Sequence, residues 1–232
     1  DPEQKQQVVE MLRLRYAGRK MDIIITLELA AIQLLLNEGR DLFADTPVLA
    51  LDLPPAFEPT ETGRRIILQS NEYDFAGTLE LALKLVPGAK RVYFVIDVFP
   101  EHQMYIDLVR DSFRKWEGRL EFIYLSDKSV EEMLAMVSSA PSESIVLYLV
   151  VVSDITGKVY NPRDVAQLMS RASAAPLFGY YDTLLGHGIV GGSLVSFERL
   201  GREAAKFALG ALANPQSLKA SKAVLEIPSV PM

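Results

Sequence analysis

The chain has no cysteine, which excludes disulfides, thiol nucleophiles and thiolate metal sites while leaving the redox compartment open. Histidine is almost as scarce. His102 and His187 lie in separate stretches, with no second histidine or carboxylate at metal-ligand spacing beside either, so no metal centre is expected. Basic clusters are missing too: 24 Lys and Arg are spread against 30 Asp and Glu, and the formal net charge of −6 argues against a nucleic-acid partner. The longest apolar run, "IVLYLVVV" from Ile145 to Val152, falls far short of the roughly 20 residues that cross a bilayer. The opening "DPEQKQQVVE" has no signal-peptide character. Neither a G-x-S-x-G elbow nor a phosphate-binding P-loop is present, which removes two common sources of catalysis.

What the chain does have is length and an alternating pattern. Its 232 residues, 49% hydrophobic, suffice for one large α/β domain or two smaller lobes. Short β-branched or aromatic runs alternate with stretches of helical period, which predicts parallel sheets covered by helices. Strands are expected at "MDIIIT", "PVLALDL", "RIILQ", "RVYFVIDV", "LEFIYLS", "SIVLYLVVV", "PLFGYY" and "KAVLEIP". Helices are expected between them, including 27–43, 74–88, 101–118, 129–140, 161–174 and 196–215. A fully apolar strand such as "IVLYLVVV" fits a sheet buried on both faces.

One stretch imitates a cofactor loop. Gly186, Gly188 and Gly191 in "GHGIVGG" fall at G-x-G-x-x-G spacing. That spacing cradles a pyrophosphate only when a strand ends at the first glycine and a helix starts within the motif. Here the strand-like run ends at Tyr181 and the next helical pattern begins near Ser196, so the glycines read as a turn or bulged strand, and no cofactor is expected.

The runs "YAGRKMDIIIT", "DLFADTPVL", "DFAGTLELALKLVPGAKRVYFV" and "GYYDTLLGHGIVGGSLVSFERLGREAAKFALGAL" resemble the type I periplasmic-binding-protein fold. More narrowly, they resemble the ABC-type substrate-binding family that also occurs as the extracytoplasmic sensor domain of bacterial sensor histidine kinases. The resemblance implies an α/β fold of two lobes, each a parallel three-layer sandwich, closing around a small organic ligand. The first lobe would comprise 1–73 and 196–216, the second 74–195 and 217–232. Relatives begin with a strand–helix–strand unit for which this sequence has no counterpart, so the first lobe is expected to lack it. They also carry small or polar residues after the strand equivalent to "DIIIT", where this chain has Leu27, Glu28 and Leu29. The resemblance further implies a non-enzymatic sensor domain on the extracytoplasmic side, attached to membrane only through segments outside this chain. The alternatives are a solute-binding component of an ABC transporter and a cytosolic α/β enzyme using the same crevice.

In parallel α/β lobes ligands sit outside the carboxyl ends of the strands. The candidates there are Thr26, Glu28, Asp52, Asn71, Tyr73 and Asp74 in the first lobe or its crossover, and Asp97, Phe99, Ser126, Ser153, Asp154, Tyr181 and Asp182 in the second. Each is also a candidate helix cap; Ser126, Asp127 and Ser129 before "VEEML" read as an N-cap cluster. Tyr181 and Asp182 pair an aromatic platform with a carboxylate, which points to an amino-acid-like or aromatic ligand bearing an amine or hydroxyls. Finally, Ile23 to Thr26 is apolar, β-branched and free of proline or lysine. As a sheet edge it would be poorly protected, which predicts a homodimer through the first lobe.

Overall fold

The computed structural model describes residues 2–54, 57–59, 63–214, 227–228 and 230–232. In chain order the elements are α1 (Pro2–Arg15), β1 (Ile24–Leu27), α2 (Glu28–Leu36), β2 (Val48–Leu53), β3 (Ile66–Glu72), α3 (Phe75–Leu85), β4 (Arg91–Ile96) and α4 (Pro100–Phe113). There follow β5 (Glu121–Leu125), α5 (Val130–Ser138), β6 (Ser144–Val150), α6 (Pro162–Ala172), β7 (Leu177–Gly179), β8 (Ser193–Leu194), α7 (Phe197–Ala213), β9 (Ile227–Pro228) and β10 (Val230–Pro231). The fold is α/β, and the chain divides into two compact units. One holds Asp1–Glu72 with Glu198–Ile227, the other Tyr73–Phe197 with Pro228–Met232. No helix among the described residues is long and apolar enough to cross a membrane.

In the first unit β1, β2 and β3 pair in parallel and β9 joins beyond β3. Val9 of α1 and Ile32, Leu35 and Leu36 of α2 pack on Val48, Ala50, Leu53 and Ile66 of the sheet. The helix expected over 27–43 ends at Leu36, because Asn37 leaves helical geometry and the Gly39 amide reaches back to the Leu34 carbonyl at 2.9 Å. Leu42 beyond that turn still enters the same core, which is why the helical period continues in the sequence. The strand expected at "RIILQ" runs on to Glu72, so Asn71 lies within it. Ile227, expected in the second lobe, belongs to the first unit and pairs in its sheet; 215–226, which include the expected passage between lobes at 216–217, lie outside the described residues.

The second unit has a parallel sheet in the order β5-β4-β6-β7. Alternate residues face opposite ways, as the pleat requires. Val92, Phe94, Ile96, Ile145 and Leu147 pack under α3 and α4, while Tyr93, Val95, Val146 and Tyr148 pack under α5 and α6. Both faces are therefore dry, as the apolar strands led one to expect. Tyr148 is buried but satisfied: its hydroxyl donates to the Pro162 carbonyl at 2.8 Å and accepts from the Val151 amide at 3.1 Å. Burial raises its pKa above the ordinary tyrosine value.

The glycine-rich stretch forms turns and a close crossing. Gly188 has φ 106°, and a Cβ on Gly192 would lie 2.1 Å from the Gly179 carbonyl oxygen, so only glycine lets these backbones approach. No helix begins within the motif; β8 and then α7 follow it.

Candidate functional site

The strand ends of the first unit carry unusual backbone. Asp52 and Glu28 have φ of 56° and 65°, a left-handed conformation costly for side-chain-bearing residues. Asp52 is buried where the register of β2 against β3 shifts, and its amide donates to Gln69 Oε1 at 3.0 Å. Thr26 is buried at the end of β1, and its hydroxyl has no hydrogen-bond partner among the described residues. Glu28 is exposed at the start of α2.

In the second unit the strand ends assemble a row of rings. Tyr73 and Tyr181, far apart in sequence, share a hydrogen bond between hydroxyls at 2.6 Å, with ring centroids 5.7 Å apart. Tyr181 stacks on Phe197 at 5.5 Å and 17°. From Tyr73 the row continues to Tyr105 at 5.2 Å, then to His102 at 6.1 Å and to Phe99 at 5.8 Å. Phe99 is 38% exposed, so the row reaches the surface. The rings come from five segments: the β3–α3 junction, the end of β4, the first turns of α4, the end of β7 and the start of α7. Such convergence is what a planar or apolar-faced ligand requires.

The carboxylates near the row are largely committed to the backbone. Asp74 caps α3, accepting from the Gly77 amide at 2.7 Å. Asp182 accepts from the Phe197 amide at 3.4 Å, while its own amide bonds the Val195 carbonyl at 3.0 Å. That long contact leaves the half-buried Asp182 side chain acceptor capacity. Asp97 is fully buried and accepts from the Val152 amide at 3.0 Å and the Phe99 amide at 3.2 Å, and its Oδ1 lies 2.5 Å from His102 Nδ1.

Other candidates serve their own loops. Asp154 accepts from Thr156, Tyr160 and the Val130 amide, fastening the loop after β6 to the start of α5. Ser153 is buried beside it, its backbone bridges Val159, and its hydroxyl makes a 3.5 Å contact to the Asp154 carbonyl. Ser129, not Ser126, caps α5, through a capping box with Glu132. No group of three or more His, Asp or Glu able to hold a metal exists among the described residues.

His102, Tyr105 and Phe197 escaped the sequence reading. The absence of a carboxylate at metal spacing near either histidine hid the pairing of His102 with Asp97. Pro100 at the first helical position turns the chain directly out of the strand and folds the first turn of α4 back over Asp97. A strand-terminal Asp followed by "VFPEH" was the signal available.

No family model and no curated protein matches the chain. Solved structures do. A conserved domain protein from Vibrio cholerae aligns over 95% of this chain and 73% of its own, at 14% identity and TM-score 0.66. The ABC domain in complex with L-Trp from Streptococcus pneumonia aligns over 95% and 75%, at 14% identity and TM-score 0.64. An ABC transporter solute-binding protein from Agrobacterium vitis with bound allitol aligns over 98% and 80%, at 15% identity and TM-score 0.62. The chain has the type I periplasmic-binding-protein fold. Transcriptional regulators of the LacI type share it, so the fold itself does not fix the cellular setting.

Proposed function

We propose that the chain is the small-molecule-binding sensor domain of an extracytoplasmic receptor, fused elsewhere to a membrane segment and a histidine kinase. The row Phe99–His102–Tyr105–Tyr73–Tyr181–Phe197 at the strand ends of the second unit supports the ligand-binding part of this reading, and the resemblance to kinase-linked sensor domains supports the rest. Its ligand is a small aromatic or amino-acid-like molecule lying against these rings, with the half-buried Asp182, next to Tyr181 in the chain, as the carboxylate that keeps acceptor capacity. Asp74 and Ser153 complete the candidates of the second unit, with Asp97 buried behind His102, and Thr26, Glu28 and Asp52 are the candidates of the first unit by itself. This reading takes the domain as a binding module and not an enzyme, in keeping with a row of rings and backbone-committed carboxylates and with solved neighbours that are binding proteins. The test is native mass spectrometry of the purified domain, followed by a thermal-shift screen of amino acids, nucleobases and aromatic acids. A retained or stabilising small molecule supports the reading; turnover of a substrate overturns it.

A solute-binding component of an ABC transporter is the second reading, supported by the solved neighbour of that description from Agrobacterium vitis. The full open reading frame separates the two: a downstream transmembrane helix and kinase support the sensor, an export signal and no kinase the transporter component.

The domain also pairs with a second copy through its first unit. This rests on β1, a sheet edge whose Ile25 and Leu27 are 47% and 44% exposed. Light scattering showing a monomer at high concentration would remove this element.

A further inference from the structure

His102 occupies a place in the ring row that packing alone does not explain. Asp97 behind it has no exposed side-chain surface, and the Val152 and Phe99 amides donate to its carboxylate. Those bonds already fasten the end of β4 to the loop after β6 and to the start of α4. The His102 contact adds a partner, Nδ1 at 2.5 Å from Oδ1. An amide N–H can only donate, so Asp97 acts as an acceptor toward the backbone, and the short charge-assisted contact places a proton on Nδ1. In the neutral ring the lone pair then sits on Nε2. Nε2 has no hydrogen-bond partner among the described residues, and the His102 side chain remains 24% exposed. Phe99 flanks the imidazole at 5.8 Å and Tyr105 at 6.1 Å, so the acceptor lies within the aromatic row.

We infer that His102 determines ligand specificity: Nε2 accepts a hydrogen bond from an N–H or O–H carried directly on an aromatic ring, and the ligand class is an indole-like or phenol-like compound. With Nδ1–H turned to Asp97, the Nε2 lone pair repels an anionic acceptor and favours a donor at this position. Asp97 is a positioning residue, since it reaches the ligand only by fixing the tautomer and orientation of His102. The inference rests on the binding site proposed above, and it names what that site recognises.

Two measurements test it. The first needs no ligand. Long-range 1H–15N correlation spectra of the free domain at neutral pH, with His187→Gln to assign the two histidines, should show Nδ1 protonated and Nε2 bare. The reverse tautomer overturns the inference. The second compares indole with 1-methylindole by calorimetric titration. Indole should bind about tenfold more tightly, the value of one hydrogen bond of about 1.4 kcal/mol. His102→Phe should erase that difference while the rings still hold both compounds, and His102→Gln serves if the Phe variant does not fold. Equal affinity of the two probes for wild type overturns the role of His102, and binding of neither overturns the ligand class. Binding of both that Tyr181→Ala leaves unchanged overturns the site itself.

Discussion

Asp154→Ala should cost the second unit about 2–4 kcal/mol, and the figure can be built from the structure. The carboxylate accepts from the buried Val130 amide at 3.0 Å, from the Thr156 amide at 2.9 Å and hydroxyl at 2.5 Å, and from the Tyr160 hydroxyl at 2.9 Å. Stranding the Val130 amide, which water cannot reach, costs about 1–3 kcal/mol; the other donors are less buried and recover most of their energy by rehydration, adding about 1 kcal/mol. Urea unfolding followed by Trp116 fluorescence is a suitable assay, because this is the only tryptophan and it is 6% exposed in the core of the second unit. The midpoint should fall with an unchanged m-value. Acidity gives an independent check. Burial alone would raise the Asp154 pKa, but hydrogen bonds from Thr156, Val130 and Tyr160 outweigh it and hold it well below the ordinary 3.8. A group depressed on folding stabilises fully above its unfolded pKa and loses that contribution as pH falls through the folded one. The gap between wild type and variant should therefore be widest at neutral pH and narrow below about pH 4. A loss under about 0.5 kcal/mol, or a gap that acid does not change, would refute the reasoning.

Gly192→Ala should destabilise by about 1–3 kcal/mol or more, since its Cβ would meet the Gly179 carbonyl oxygen at 2.1 Å and backbone must move; denaturant midpoints measure it. Tyr180→Phe should be neutral or stabilising by up to about 1 kcal/mol, because the Tyr180 hydroxyl is buried without a partner among the described residues; a clear loss would reveal an unseen partner. Ile25→Lys on the exposed edge β1 should abolish self-association in sedimentation experiments while leaving the monomer folded; a dimer that persists places the interface elsewhere.

The alternation of apolar strands and amphipathic helices was legible because both periods are local. "SIVLYLVVV" and "VEEML" gave β6 and α5 directly, and of the expected N-cap cluster Ser129 makes the cap, closed by Glu132. Local pattern failed where a tertiary contact decided. Leu42 kept the helical period after the helix had ended at Asn37, because its burial is set by the sheet and not by α2. At the site, Tyr181 stood out as a strand-end aromatic, but its partnership with Tyr73 depends on sheet order, which no local signal reports. The carboxylates looked like ligand contacts from their position after strands. The same position makes them caps and loop fasteners, as at Asp74 and Asp154, and only the hydrogen bonds separate the two uses. His102 was missed because its partner lies across a chain reversal.

The most direct measurement takes the compound that native mass spectrometry finds bound and follows its thermal stabilisation of wild type, Tyr181→Phe and Tyr181→Ala. At a hundredfold excess over its dissociation constant it should stabilise wild type by about 2.7 kcal/mol. Tyr181→Phe, which keeps the ring stacked on Phe197 and loses the hydroxyl bonded to Tyr73, should retain most of that shift. Tyr181→Ala should lose nearly all of it. Equal stabilisation of all three proteins would contradict a ligand site on the aromatic row.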